Sequence, residues 1–544
     1  MKKLHPITGL TLEGFQVFEK QTYIPLEGLT LLFGPNSSGK SAVQDAIELY
    51  RELLNSKAEK PDRFGCFGDS NVMALLERHW RRAGGDNSWA TKLSLVVHHV
   101  TSCGIATAAA AFLGRELLDD PEFELVPELQ LESRWHFVRA EDDDDGNLSF
   151  DWDFEFYIES ELLVSYVGTA FCVNLGHPAL RSIPRHVDFS SMGAAHPEEV
   201  SFVDGYFVID KGVTGFRPSG YGFQEENSHW LRYLSLGFGY DIVGPPEKPL
   251  LRAAIAELSL LVGSVLRVSQ SNSNFSPTKV AASRVVPVQG DLTFEIGDLY
   301  DTFPRAIRAG DEKYKSLAES LAAELTNPLY PPLADRKKYA ENVNRALSDD
   351  LFLESGYQLD YDFRVLMSKA NSQAAIDGAE LDQNEFGYCI DLFLRDGAGR
   401  KHLFEDVGSG IGYVLPVLCA TFNPSPHFST CFIQQPELHI HPALQAAMGD
   451  VFIKGRSTGK QVLLETHSEH LLLRILKRIR QTHLHVDIAS ELQVNADDVC
   501  VLYFNPCPDG TTTVKRLRIT EDGEFMDRWP RGFFAERDQE LLDE

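Results

Sequence analysis

Apolar and polar positions fall along the chain in blocks that predict its elements. Near the start, ITGLTLEGF (residues 7–15) and LTLLF (29–33) read as strands. A glycine-rich turn follows, and AVQDAIELYRELL (42–54) carries apolar positions at helical spacing, so residues 1–100 form a strand, loop and helix unit. From 101 to 244 the pattern is irregular, with an acidic run at Glu141–Asp145, a strand at FEFYI and a hairpin in SFVDGYFVID, where Asp204 and Gly205 sit between alternating apolar residues. This predicts an inserted, partly β subdomain. Between 245 and 385 the spacing turns helical: Tyr314, Leu317, Leu321 and Leu325 recur at three and four residues, as do Tyr339, Val343 and Leu347 beyond the break NPLYPPL. From 386 to 505 strands and helices return in YCIDLFL, HFSTCFIQQ and KQVLLET, and 506–544 forms a small closing module. There is no repeat of fixed period and no long heptad array, so no coiled-coil arm is expected.

Composition adds limits. A chain of 544 residues with 43% hydrophobic and 24% charged residues can build more than one core of ordinary kind. Its longest apolar stretches, such as Leu258–Leu266, fall short of the roughly 18 residues of a membrane span. The opening MKKLHPITGLTLEGF has no continuous apolar signal core, so no membrane association and a cytoplasmic location are expected. The eight cysteines are scattered without a CxxC pair, which argues against a disulfide framework or zinc knuckle. With 51 basic and 79 acidic residues the net charge is −28, which argues against a surface made to hold nucleic acid. The densest basic stretch, Arg474–Arg480, leaves two readings open: a solvated helix face or a local phosphate-binding groove.

The chemistry starts at residues 34–41. GPNSSGKS matches G-x-x-x-x-G-K-[ST] in full, between an apolar strand and an amphipathic helix. Gly34 and Gly39 let the backbone of Asn36, Ser37 and Ser38 curl so that N–H groups face phosphate oxygens. Lys40 supplies positive charge at the β and γ phosphates, and Ser41 is the residue for Mg²⁺. The expected cofactors are therefore ATP and Mg²⁺.

A site of this kind also needs groups from another strand, and TCFIQQPELHIHP is the best candidate. Through Phe432, Ile433, Pro436, Glu437, His439, His441 and Pro442 this segment resembles RecF/OLD-like ATPases of the ABC/SMC type, a bacterial group described within the AAA superfamily. The resemblance implies an α/β fold: an ABC-type P-loop ATPase head, a mixed sheet flanked by helices, with an inserted β and helical subdomain and a small C-terminal module. The head would combine 1–100 with 386–505. Gln434 stands where such ATPases carry the Mg²⁺-orienting acid, and Gln435 where they carry the general base. An amide carries no charge and takes no proton at neutral pH, so weak hydrolysis is expected. Glu437 is left with two readings, a substitute base acting through water or a loop-capping or interface residue. His439 and His441 read as shaping the loop ahead of a helix with Pro442 in its first turn rather than as metal ligands.

Downstream, THSEHLL places His467 where the family carries the histidine that senses the γ phosphate. Upstream, FEDVGSGIGYVLPVL resembles the family's signature, in which Gly408, Ser409 and Gly410 would face the γ phosphate of a second copy. Gly412 and Tyr413 depart from the Ser-Gln common there. The chain end likewise resembles the family's C-terminal module through Gly523, Phe525, Trp529, Pro530, Gly532, Phe533 and Phe534. Its aromatic residues read as core or docking surface sooner than as a base-stacking platform.

Family resemblance implies a homodimer or higher oligomer closed around ATP, acting as sensor or scaffold in anti-phage defence of the Septu-like or retron-associated kind. A separate effector, such as an HNH-type nuclease, would do the damage. The residues after His467 hold no clustered D-x-D pattern, so the chain itself is not expected to be a nuclease. The alternative is a RecF/SMC-like DNA-maintenance or repair ATPase.

Overall fold

Strands covered on both faces need unbroken apolar runs, and LTLLF, TCFI and QVLL supply three of them. The structure is a computed structural model that describes residues 7–55, 70–80, 90, 92–102, 128–139, 150–158, 160–167, 170–174, 200–203, 206–210, 278–280, 293–295, 333–352, 356–367, 376, 386–404, 406–422 and 430–530. The chain divides into two compact units: Met1–Glu27 with Gly34–Ser276 and Leu502–Arg516, and Gly28–Phe33 with Pro277–Val501 and Leu517–Glu544.

Among the described residues the first unit contains β1 (Ile7–Glu13), β2 (Thr22–Pro25), β4 (Lys92–Ser102), β5 (Glu128–Arg139), β6 (Phe150–Ile158), β7 (Glu161–Val167), β8 (Ala170–Asn174), β9 (Val200–Val203) and β10 (Tyr206–Asp210). These pair antiparallel in the order β2-β1-β4-β5-β6-β7-β8-β10-β9. Alternation puts Ser133, Trp135 and Phe137 of β5 on the covered face, where Tyr50 of helix α1 (Ala42–Asn55) bonds His99 Nε2 at 2.8 Å. The expected hairpin is present: β9 and β10 pair with Val203 opposite Tyr206, and the turn residues lie outside the described set. FEFYI falls within β6 as expected. Helix α2 (Ser70–His79) completes the described elements before β4.

In the second unit, β3 (Leu29–Phe33), β11 (Thr278–Val280), β16 (Thr430–Gln434) and β17 (Gln461–Glu465) run parallel in the order β11-β16-β17-β3. β3 is buried throughout and β16 and β17 all but their last residue, as the apolar runs require. Helices flank this sheet: α3 (Leu333–Arg345), continued by a π-helical turn at Ala346–Leu351, then α4 (Ser409–Phe422), α5 (Pro442–Ser457) and α6 (Glu469–His483). α4 is apolar almost all round and correspondingly buried, without a break from Val414 to Phe422. Tyr339, Val343 and Leu347 are buried along α3 and its π turn, as their spacing predicts.

The segment read from spacing as helical also contains strands. β12 (Thr293–Glu295), β14 (Phe386–Arg395) and β13 (Gln358–Met367) pair antiparallel in that order, and β15 (Lys401–His402) pairs with β14. The period-two run in QLDYDFRVLM is the physical reason for β13, and the helical reading of 245–385 passed over it. Tyr314–Leu325 and the acidic run Glu141–Asp145 lie outside the described residues. The last strands, β18 (Val499–Pro506) and β19 (Thr512–Leu517), are joined by a turn in which Cys507 N–H donates to Thr511 O at 2.8 Å.

Candidate functional site

The phosphate loop, part of the first unit, leaves the end of β3 and enters α1. Its backbone takes left-handed values at Gly34 (φ 143°), Ser37 (φ 61°) and Gly39 (φ 89°). A side chain is excluded at both glycines: a Cβ on Gly34 would stand 2.5 Å from Phe504 O, and one on Gly39 2.3 Å from Val17 Cγ2. Ser37 is the non-glycine residue held there, a strain that surroundings sustain at functional turns. Asn36 and Ser37 are exposed, whereas Ser38 and Lys40 are buried. Lys40 Nζ donates to the carbonyls of Gly34 at 3.0 Å and Pro35 at 2.8 Å, so the loop curls around its own ammonium group. Ser38 Oγ is buried without a hydrogen-bond partner among the described residues. A hydroxyl in that condition, inside a backbone cradle with a buried cation, fits an anionic ligand with many acceptor oxygens. Ser41 precedes the first helical residue, Ala42, and the Ala42 N–H donates to Gly39 O at 3.1 Å.

Beside the loop, Gln16 is held at φ 46° and its Nε2 lies 2.7 Å from Asp45 Oδ2 and 2.6 Å from His79 Nδ1. This ties the first turn of α1 to the end of α2. The sequence offered no sign of it, because the three residues are far apart and match no motif.

The second unit brings together the other groups. β16 ends at Gln434, and Gln435 turns away at φ 46° with its N–H donating to Glu465 O at the end of β17, 2.7 Å away. Glu437 is fully engaged: Oε2 accepts from Thr466 Oγ1 at 2.9 Å and Oε1 from the His467 N–H at 2.7 Å. Gln445 on α5 closes the same region, Oε1 accepting from Ser468 Oγ at 2.8 Å and Nε2 donating to Ile440 O at 3.2 Å. Ser468 caps α6 by accepting from Leu471 N–H at 3.2 Å. The loop 435–441 and the segment 465–468 are therefore fastened to each other. Of the two readings left to Glu437, the geometry supports the one that shapes the loop.

His439 and His441 also have structural tasks. His441 is the N-cap of α5, its Nδ1 accepting from Ala443 N–H at 3.2 Å with Pro442 in the first turn. His439, at φ 61°, sets its ring 4.6 Å from that of Tyr413 on α4. Among the described residues no group of three or more His, Cys, Asp or Glu side chains is arranged around a metal. α4 begins at Ser409, and Ile411 N–H donates to Gly408 O at 3.1 Å. A Cβ on Gly410 would lie 3.6 Å from His439 O, whereas one on Gly408 would meet nothing within 4 Å. Gln434, Gln435, His467 and the turn Gly408–Gly410 thus belong to one neighbourhood of the second unit.

Comparison with known proteins agrees with this geometry over two segments. Residues 330–474 match the family described as "AAA domain, putative AbiEii toxin, Type IV TA system", and residues 9–51 match a family described as "AAA domain". The first holds Gln434, His467 and Gly408–Gly410, the second the phosphate loop. No curated protein matches. Among solved structures, an SMC head bound to the C-terminal winged-helix domain of ScpA is 12% identical at a TM-score of 0.37, covering 95% of this chain and 98% of that one. The SMC head domain from Thermotoga maritima is 9% identical at 0.35, covering 94% and 100%. An Smc head with an extended coiled coil, bound to the C-terminal domain of ScpA and derived from Pyrococcus furiosus, is 9% identical at 0.35, covering 99% and 98%. The AAA-type ATPase character expected from the motifs is thus supported at both ends of the chain.

The arginines of the basic stretch are engaged within the chain, whereas Lys477 is exposed. Arg474 and Arg478 both bind Asp450, at 2.7 Å, and Arg480 donates to Asp522 O at 2.7 Å. Hydrogen bonding to Asp450 raises the pKa of Arg478. Trp529 packs edge to face on Phe33 and Phe525, with ring centroids 5.4 and 5.1 Å apart, so its ring is packing surface. Phe533 and Phe534 lie outside the described residues. No helix among the described residues is long and apolar enough to cross a membrane.

Proposed function

We infer that this chain binds ATP with Mg²⁺ at Gly34–Ser41 and uses it to close a homodimer that restrains or releases a separate effector, with slow hydrolysis. The observation that carries the reading is the phosphate loop: left-handed backbone at three positions, a buried Lys40 and a buried, unpartnered Ser38 hydroxyl. Loop N–H groups and Lys40 would hold the phosphates, and Ser41 the metal. Bound Mg²⁺ neutralises phosphate charge. Gln434 and Gln435 hydrogen-bond but neither carries charge nor takes a proton at neutral pH, and both Glu437 oxygens are committed to Thr466 and His467, which supports slow turnover. His467 would read the γ phosphate, and Gly408–Gly410 would meet the nucleotide of the second copy.

The description of the family matched at 330–474 names a toxin of a toxin–antitoxin system, which supports a defence role, whereas a separate effector of HNH or similar nuclease type rests on the resemblance of the motifs alone. The internal pairing of Arg474, Arg478 and Arg480 weighs against the DNA-maintenance alternative. Calorimetric titration with ATP and Mg²⁺ tests the reading. Saturable binding that Lys40→Ala weakens at least about tenfold is expected, the scale of a charge-assisted contact. Equal heats for both proteins would refute it.

A further inference from the structure

Glu437 is fastened to a segment that follows it by about thirty residues, and the bonds differ in kind from ordinary loop contacts. Each carboxylate oxygen takes one donor, Oε1 the His467 N–H at 2.7 Å and Oε2 the Thr466 hydroxyl at 2.9 Å. The Thr466 hydroxyl in turn accepts from Ser468 N–H at 3.0 Å, so three consecutive residues are positioned from one carboxylate. Charge-assisted bonds of this type are about twice as strong as neutral ones. On its other side the loop carrying Glu437 leads to His439, whose ring meets Tyr413 and whose carbonyl lies against Gly410 at the start of α4.

We propose that Glu437 is a positioning residue that fixes His467 and links it, through the loop 437–439, to the first turn of α4. The proposal rests on the reading of His467 as the group that answers to the γ phosphate. On that reading a displacement of His467 is transmitted to Tyr413 on α4 and to Gly410 in the turn offered to the second copy. Glu437 acts through donors it holds, and its carboxylate needs neither to exchange a proton nor to carry charge at the reacting atoms.

Two substitutions separate this role from that of a base. In Glu437→Gln the side-chain carbonyl still accepts from His467 N–H, and its amide can donate to Thr466 Oγ1, whose own proton turns elsewhere. Glu437→Ala removes both contacts. The first measurement is hydrogen exchange at the His467 amide in the nucleotide-free full chain. We expect Ala to accelerate exchange about tenfold or more and Gln to stay within about threefold of the wild type. The second is ATP turnover at saturating ATP with the ATP dissociation constant measured in parallel. Ala should lower kcat about tenfold with affinity changed less than about twofold, and Gln should restore the rate. The proposal is overturned if Glu437→Gln loses as much turnover as Ala, which would make the carboxylate a base, or if Ala leaves His467 exchange unchanged. A failure of ATP binding itself is read in the Lys40→Ala titration, whereas the exchange experiment judges the clamp without nucleotide.

Discussion

At the scale of single residues, the proposed slow turnover makes Gln435 the residue to test. It sits at the turn out of β16, held by its own N–H on Glu465 O, and under the proposed function its amide stands in for a carboxylate that would take a proton from water. General bases contribute about a hundredfold or more to such reactions. Gln435→Glu is therefore expected to raise steady-state ATP turnover at least about tenfold, measured by phosphate release, and an unchanged rate would remove Gln435 from the account. A second residue sets a pH response. Lys460, at the entry to β17, is buried and its ammonium reaches Ala420 O at 3.1 Å, so burial lowers its pKa from 10.5 to about 8. The unfolded chain binds the proton more tightly, so below pH 8 this lysine costs stability, and the cost disappears as pH rises from about 8 to 10.5. Burial pushes the Cys431 thiol the other way, up to about 11, so its contribution falls over about pH 9 to 11 and partly offsets the rise. Lys460→Met isolates the lysine. It should be more stable than the wild type at pH 7 by on the order of 3 kcal/mol at most, with the gap closing by pH 10, in urea unfolding at both pH values.

At the scale of elements, each unit has a joint that can be tested. The phosphate loop depends on close approach between Gly39 and Val17, and Gly39→Ala combines a steric contact with an unfavourable φ of 89°. A cost of about 2 kcal/mol and loss of nucleotide binding are expected, read as a lowered melting temperature and a flat titration. The helices α5 and α6 are joined by Asp450, almost buried, with the guanidinium groups of Arg474 and Arg478 on its two oxygens. Asp450→Asn keeps the shape and removes the charge, so it should destabilise by about 2 kcal/mol in denaturant titration. Elements with a strong local pattern were legible in the sequence: β3, β16 and β17 as apolar runs, α1 as an amphipathic stretch, and the hairpin at β9 and β10 by its Asp-Gly turn. So was the phosphate loop, because its spacing is local. What the sequence hid is set by partners far along the chain. Glu437 gains its meaning from Thr466 and His467, Gln16 from Asp45 and His79, and Arg474 and Arg478 of the basic run from the Asp450 carboxylate between them. β13 is hidden for a different reason, because the helical spacing on its N-terminal side masks its period-two run.

At the scale of the whole molecule, a net charge of −28 makes two copies repel. ATP-dependent association should therefore strengthen as salt rises from low to moderate concentration, and DNA binding should be absent at the low ionic strength where basic surfaces bind it best. Nucleotide at Gly34–Ser41 is proposed to close two copies of the chain, and light scattering in line with size exclusion reads that closure as molar mass. With ATP and Mg²⁺ the molar mass should double for the wild type and stay at the nucleotide-free value for Lys40→Ala. A wild-type mass that does not change at ATP concentrations saturating the calorimetric titration would contradict it.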